Sequence, residues 1–146
     1  MTKAILPEEN IRLNAHFSSQ EEAIRAAGEI LQEGGYVDEA YIAKMFEREE
    51  ITSTFMGNYV AIPHGTDDAK SSVHASGLSV LQVPDGVPYG DGNTAKLIFG
   101  IAGKDGEHLE ILSKIAILCS EEANIEKMLQ ASTKAELLDM FSEVES

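Results

Sequence analysis

Four histidines, His16, His64, His74 and His108, hold most of this chain's capacity for chemistry near neutral pH. His64 is the most pointed of them. It stands between Pro63 and Gly65 in the stretch Gly57–Lys70, GNYVAIPHGTDDAK. Tyr59, Val60, Ala61 and Ile62 form a short apolar run that reads as a buried strand, and Pro63, which has no N–H for a sheet ladder, should end it. His64 then sits at the strand exit, with φ fixed before it and a residue after it that permits close approaches a Cβ would forbid. Stiff backbone with open space beside it suits attack by a ring nitrogen. His108 follows the most apolar strand, in a glycine-flanked turn at a predicted helix start. Backbone N–H groups and the helix dipole favour an anion there, although the position is equally that of an ordinary first-turn residue.

Three chemistries could use such histidines. Metal-assisted hydrolysis could recruit His64, Asp67, Asp68 and His74, but their spacing matches no strong ligand signature. Nucleophilic hydrolysis lacks a G-x-S-x-G turn, and the single cysteine, Cys119, falls in an apolar helical stripe as a core residue. Phosphoryl transfer through a phosphohistidine asks for less: a neutral ring nitrogen, a second group to orient it, and cations or N–H donors for the equatorial oxygens. His64, His108, Arg48 and a helix N-terminus could supply these.

The elements that must position these residues follow from patterning. Ile5 to Asn14, interrupted by Pro7, reads as a short opening segment or edge strand. Ser18 with Glu21, or Ser19 with Glu22, makes a capping box for a helix carrying Ala23, Ala27, Ile30 and Leu31 and stopped by Gly34 and Gly35. Asp38 can cap a second helix with the stripe Tyr41, Ile42, Met45 and Phe46, which places Arg48 at its C-terminal end. After the His64 stretch, Leu78 to Val83 predicts a strand ending in a Pro84-Asp85-Gly86 turn, with a loop running on to Asn93. Ala95 to Ala102 reads as a central strand covered on both faces. Asp105 offers an N-cap to a helix running to Cys119, with His108 in its first turn. Ser120 can start another helix, and Thr133 with Glu136 boxes the last. Two helices, three apolar strands and three helices give one α/β domain over residues 1–146 whose sheet is partly covered on each face. The strand order is not readable from this pattern.

Composition narrows the partners. Eleven Lys and Arg stand against 25 Asp and Glu, a formal charge of −14, which argues against nucleic acid and anionic membrane surfaces and would steer in a basic protein. No secretion signal or disulfide framework is indicated, so the cytoplasm is the expected compartment, with no direct membrane insertion. Most of the methionines read as core. Met56, nearest the His64 stretch, is the one that could meet a partner.

The run TSTFMGNYVAIPHGTDDAK from Thr52 to Lys70, with REE before it and VPYGDG, LIFGIAG and GEHLEIL after it, resembles the enzyme IIA component of the mannitol and fructose branch of the bacterial phosphoenolpyruvate-dependent sugar phosphotransferase system. Within that family the overall similarity is to free-standing mannitol-specific members, and it covers nearly the whole chain. The resemblance implies an α/β sandwich with a mixed, mainly parallel sheet flanked by helices on both faces. It implies that His64 accepts a phosphoryl group on Nε2 from the histidine phosphocarrier protein HPr and hands it to a cysteine of a mannitol-type IIB or IICB permease component. It implies that His108 is a second active-site histidine, not itself phosphorylated, and that Arg48 lies near the phosphoryl site. Since the donor in such a transfer is already a reactive phosphoramidate, neither metal nor cofactor is expected. The alternative is a regulatory phosphoprotein of the same system, which grips a transporter or transcription factor according to the state of His64.

Overall fold

The computed structural model describes residues 5–90 and 92–141. Among them, five strands form one mixed sheet in the order β1-β4-β5-β3-β2. The strands are β1 (Ile11–Arg12), β2 (Phe55–Gly57), β3 (Val60–Ala61), β4 (Gly77–Pro88) and β5 (Thr94–Ala102). β1 runs parallel to β4, and β3 parallel to β5, while the β4–β5 and β2–β3 pairs are antiparallel. The helices are α1 (Gln20–Glu33), α2 (Ala40–Ile51), α3 (Glu107–Leu118), α4 (Glu122–Gln130) and α5 (Lys134–Met140).

Side-chain alternation along the two long strands decides which helices cover which face. Leu81, Val83, Ile98 and Ala102 point into a core completed by Ala23, Ala27, Leu31, Tyr41 and Met45 of α1 and α2. Leu78, Val80, Leu97, Phe99 and Ile101 point the other way, onto Ile111 and Ile115 of α3, Ile125 and Met128 of α4 and Leu137 of α5. Both faces of β4 and β5 are therefore buried, as their near-continuous apolar sequence requires. Phe99 and Phe141 meet edge to face at 5.6 Å, close to the preferred geometry for aromatic pairs.

Two capping boxes form where expected. The Ser19 and Thr133 side chains accept from the backbone N–H groups of Glu22 and Glu136. In each case the residue before the cap, Ser18 or Ser132, donates its hydroxyl to that same glutamate.

Other expectations need correction. Asp38 and Asp105 do not act as side-chain N-caps: the cap positions fall at Glu39 and Gly106, neither with a side-chain cap hydrogen bond. α4 is preceded by Glu121, while the Ser120 hydroxyl donates back to the Ile117 carbonyl. β4 does not end at Pro84. A register shift between Gln82 and Val87 absorbs the Pro-Asp-Gly sequence, with Gly86 at φ 80°, and the ladder resumes at Val87 opposite Ala95. The strand β2 has no apolar run to announce it, because it is three residues long and lies at the sheet edge.

Gln82 ties three elements together from a buried position on β4. Its Nε2 donates to the carbonyls of Met128 and Ala131 at the end of α4, at 2.8 and 3.0 Å, and its Oε1 accepts from Asn14 N–H at 3.1 Å. Gln82→Leu leaves these buried groups without that partner. We expect it to lower unfolding free energy by about 2–4 kcal/mol, read as a fall in the urea midpoint with an unchanged denaturant slope.

Candidate active site

β3 leaves the sheet between β5 and β2, and its exit is tied down on each side. Ile62 N–H donates to the Thr54 carbonyl at 3.0 Å, and Ile101 N–H donates to the Pro63 carbonyl at 3.1 Å. His64 still bridges Ile101 in parallel register, so the imidazole is carried by backbone that remains part of the sheet. The next residue is fixed by α2. The Tyr41 hydroxyl accepts from Gly65 N–H at 2.8 Å and donates to the Ile101 carbonyl at 2.7 Å, so both of its hydrogen-bonding roles are used. The ring lies so close that a Cβ on Gly65 would stand 2.6 Å from Tyr41 Cε1. Glycine is required here by close approach. Burial pushes the Tyr41 phenol up to about 12, which keeps it a neutral hydroxyl at physiological pH.

His64 Nδ1 lies 2.8 Å from the carbonyl oxygen of Ile62. A carbonyl can only accept, so Nδ1 carries the hydrogen, and in the neutral ring Nε2 is left with the lone pair. Burial of the imidazole lowers its pKa below the usual histidine value. The Ile62 hydrogen bond and the Glu49 carboxylate work against this, while Arg48 and His108 nearby work with it. The result is a half-buried, neutral imidazole whose free lone pair lies on Nε2.

Arg48 and His108 are thus both brought within electrostatic reach of His64 from distant parts of the sequence. Arg48 lies in the last turn of α2, where a cation complements the helix dipole, and its Nη1 donates to the Thr52 carbonyl at 2.9 Å. His108 lies in the first turn of α3, seated directly over Gly103, where any Cβ would overlap the His108 backbone. Ser76 fixes the same corner: its hydroxyl accepts from Lys104 N–H at 2.9 Å and donates to the Glu107 carboxylate at 2.8 Å.

The other histidines lie elsewhere. His74 is exposed, and His16 is exposed and pairs with Asp85 at 3.2 Å. Asp68 is occupied by the Thr66 hydroxyl and by Lys44 at 3.4 Å; the Asp67 side chain lies outside the described residues. Among the described residues, no three His, Cys, Asp or Glu side chains are grouped as metal ligands. Cys119 is buried, and burial pushes its thiol up to about 12, which makes it a poor nucleophile.

Several residues at this site were not legible from patterning. Tyr41 reads as one more apolar helix residue, and Gly103 and Ser76 as turn residues. The Ile62 carbonyl has no sequence signature at all. Glu49 had one available signal, its place beside Arg48 in REE.

Known proteins share this sequence and fold. The sequence model of the family described as "Phosphoenolpyruvate-dependent sugar phosphotransferase system, EIIA 2" matches residues 4–144. The chain is 61% identical over 140 residues to the mannitol-specific phosphotransferase enzyme IIA component of Bacillus subtilis (strain 168), covering 96% of this chain and 98% of that protein. It is 59% identical over 144 residues to the protein of the same description from Geobacillus stearothermophilus, covering 99% of each. Its fold is similar to the enzyme IIA in a solved complex of IIA and phosphorylated IIB for mannitol from Escherichia coli, with a TM-score of 0.88 and 36% identity over 92% of this chain and 95% of that one.

The arrangement around His64 predicts a titration. The His64 ring resonances should move with a midpoint below 6.5, the ordinary histidine value. Between that lowered value and 6.5 the unfolded chain binds the proton more readily. His64 therefore adds stability that is fully present above pH 6.5 and is lost as pH falls through the lowered value. A midpoint at or above 6.5 in an NMR titration would contradict the burial argument.

Proposed function

Because the chain belongs to the EIIA 2 family of the phosphoenolpyruvate-dependent sugar phosphotransferase system, we propose that His64 is its phosphoryl-accepting residue and Nε2 the atom that takes the group. The chain is a phosphotransferase component that works through a phosphohistidine and passes the phosphoryl group to a mannitol-type IIB component. The observation that carries the choice of atom is the hydrogen bond from Nδ1 to the Ile62 carbonyl, which leaves the Nε2 lone pair available.

The donor in this reading is the phosphohistidine of HPr. As the Nε2–P bond forms, the donor's N–P bond breaks and its electron pair returns to the donor imidazole. The acceptor ring keeps its Nδ1 proton throughout, so no proton has to move. Once phosphorylated, the His64 ring carries positive charge, which the Ile62 carbonyl and the nearby Glu49 carboxylate stabilise. Arg48 and His108 offset the negative charge on the equatorial phosphoryl oxygens. In the second step a cysteine thiolate of IIB attacks phosphorus, the Nε2–P bond breaks, and its pair returns to Nε2. The donor's N–P bond is already reactive, so the transfer calls for no metal ion.

The formal charge of −14 supports fast, electrostatically steered encounters with basic partner surfaces, as a carrier that must bind and release two proteins in turn requires. Among the described residues no helix is long and apolar enough to cross a membrane. We place the chain in the cytoplasm, as one unit of this family over residues 1–146.

The test is phosphorylation with phosphoenolpyruvate, enzyme I and HPr. We expect acid-labile, base-stable phosphate on the wild type and none on His64→Ala. His108→Ala should still be labelled, but transfer to a mannitol-type IIB should slow by roughly 100- to 1000-fold, the usual effect of losing one charge-stabilising donor. Undiminished labelling of His64→Ala would remove His64 as the acceptor.

A further inference from the structure

Beyond the groups that meet the phosphoryl group, one acidic residue connects the two arms of the site. The Glu49 carboxylate accepts from Thr54 N–H at 2.8 Å through Oε2, and from the Thr54 hydroxyl at 2.7 Å through Oε1. Tyr89, reaching in from the segment after β4, places its hydroxyl 3.1 Å from the same Oε1 and 2.7 Å from Thr54 Oγ1. Thr54 and Tyr89 are buried. Thr54 is thus held by both its N–H and its side chain, and its remaining backbone group is the carbonyl that receives Ile62 N–H at 3.0 Å. Ile62 in turn offers the carbonyl that holds His64 Nδ1. On the other side, Glu49 adjoins Arg48, whose Nη1 is seated on the Thr52 carbonyl, two residues before Thr54.

A surface carboxylate would gain little from such an arrangement, and most of this chain's acidic residues are of that solvated kind. Glu49 differs in being saturated with short donor contacts inside the segment that joins α2 to the sheet.

We infer that Glu49 is a positioning residue for the phosphoryl transfer, holding through Thr54 both the Ile62 carbonyl that orients His64 and the Thr52 carbonyl that seats Arg48. This rests on the reading of His64 as the acceptor. Glu49 also contributes through charge. The charged and titratable groups acting on His64 are Arg48 and Glu49 from α2 and His108 from α3, and Glu49 alone among them favours the protonated ring. Its carboxylate therefore matters most when the ring becomes positive on phosphorylation.

The experiment compares wild type, Glu49→Gln, Thr54→Val and Thr54→Ser in steady-state phosphoryl transfer from phospho-HPr to a mannitol-type IIB acceptor, alongside NMR titration of His64 and circular dichroism to check folding. Glu49→Gln should lower kcat by about tenfold, since small misplacement of a reacting group is costly, with KM for HPr within about twofold. Its His64 midpoint should fall below that of the wild type, because the one charge favouring protonation is gone; a role confined to folding would not move it. Thr54→Val should lower kcat while Thr54→Ser, which keeps the hydroxyl, should restore it. Wild-type kcat and an unmoved midpoint in Glu49→Gln would overturn the inference. If Glu49→Gln does not fold, the serine and valine variants decide, and equal kcat in the two would overturn it. Wild-type protein labelled at a residue other than His64 would instead sink the acceptor reading, and this inference with it.

Discussion

The hydroxyl of Tyr41 is the joint on which the site depends. One oxygen links α2, the end of β5 and the turn that follows β3, accepting from Gly65 N–H and donating to the Ile101 carbonyl. Without it Gly65 N–H and the Ile101 carbonyl lose that partner, and the turn around His64 loses its tie to α2. The helix that carries Tyr41 also carries Arg48 and Glu49, so fixing Tyr41 on the sheet fixes where those charges fall. The close approach of ring to backbone explains why the residue after the histidine has no side chain.

Burial and charge then divide the chemistry between atoms. Burial keeps His64 neutral, and the Ile62 carbonyl directs its proton to Nδ1. Arg48 and His108, which disfavour a protonated ring, favour an anionic group arriving beside it. In the proposed transfer the same two residues keep the nucleophile ready and receive the group it attacks. Glu49 acts in the opposite direction on the ring, which in the proposed transfer suits the site both to the empty ring and to the positively charged ring that carries a phosphoryl group.

Much of this was readable from local sequence where the determinants are local. The capping boxes at Ser19 and Thr133 require only residues three apart, and both formed. The strand exit at Pro63-His64-Gly65 and the placement of His108 in a first helical turn also depend on neighbours in the chain. Asp38, Asp105 and Ser120 do not cap their helices, because a cap depends on where the chain turns into the helix, which tertiary packing decides. The Pro84 to Gly86 turn was misread for a related reason: β5 offers a continuous partner, and pairing resumes past the bulge. Tyr41, Glu49, Gly103 and Ser76 act through contacts distant in sequence, so nothing beside them announces their roles. The family resemblance brings His64, His108 and Arg48 together. It did not supply the hydrogen bonds that hold them.

The central claim is that His64 presents an unprotonated Nε2 because its Nδ1 proton is held by the Ile62 carbonyl. Long-range 1H–15N correlation NMR on uniformly 15N-labelled protein at neutral pH measures this tautomer directly. His64 in the free protein should show a protonated Nδ1 and a bare Nε2, and phosphorylation should attach phosphorus to Nε2. A proton on Nε2 in the free protein, or a phosphoryl group on Nδ1, would contradict the claim.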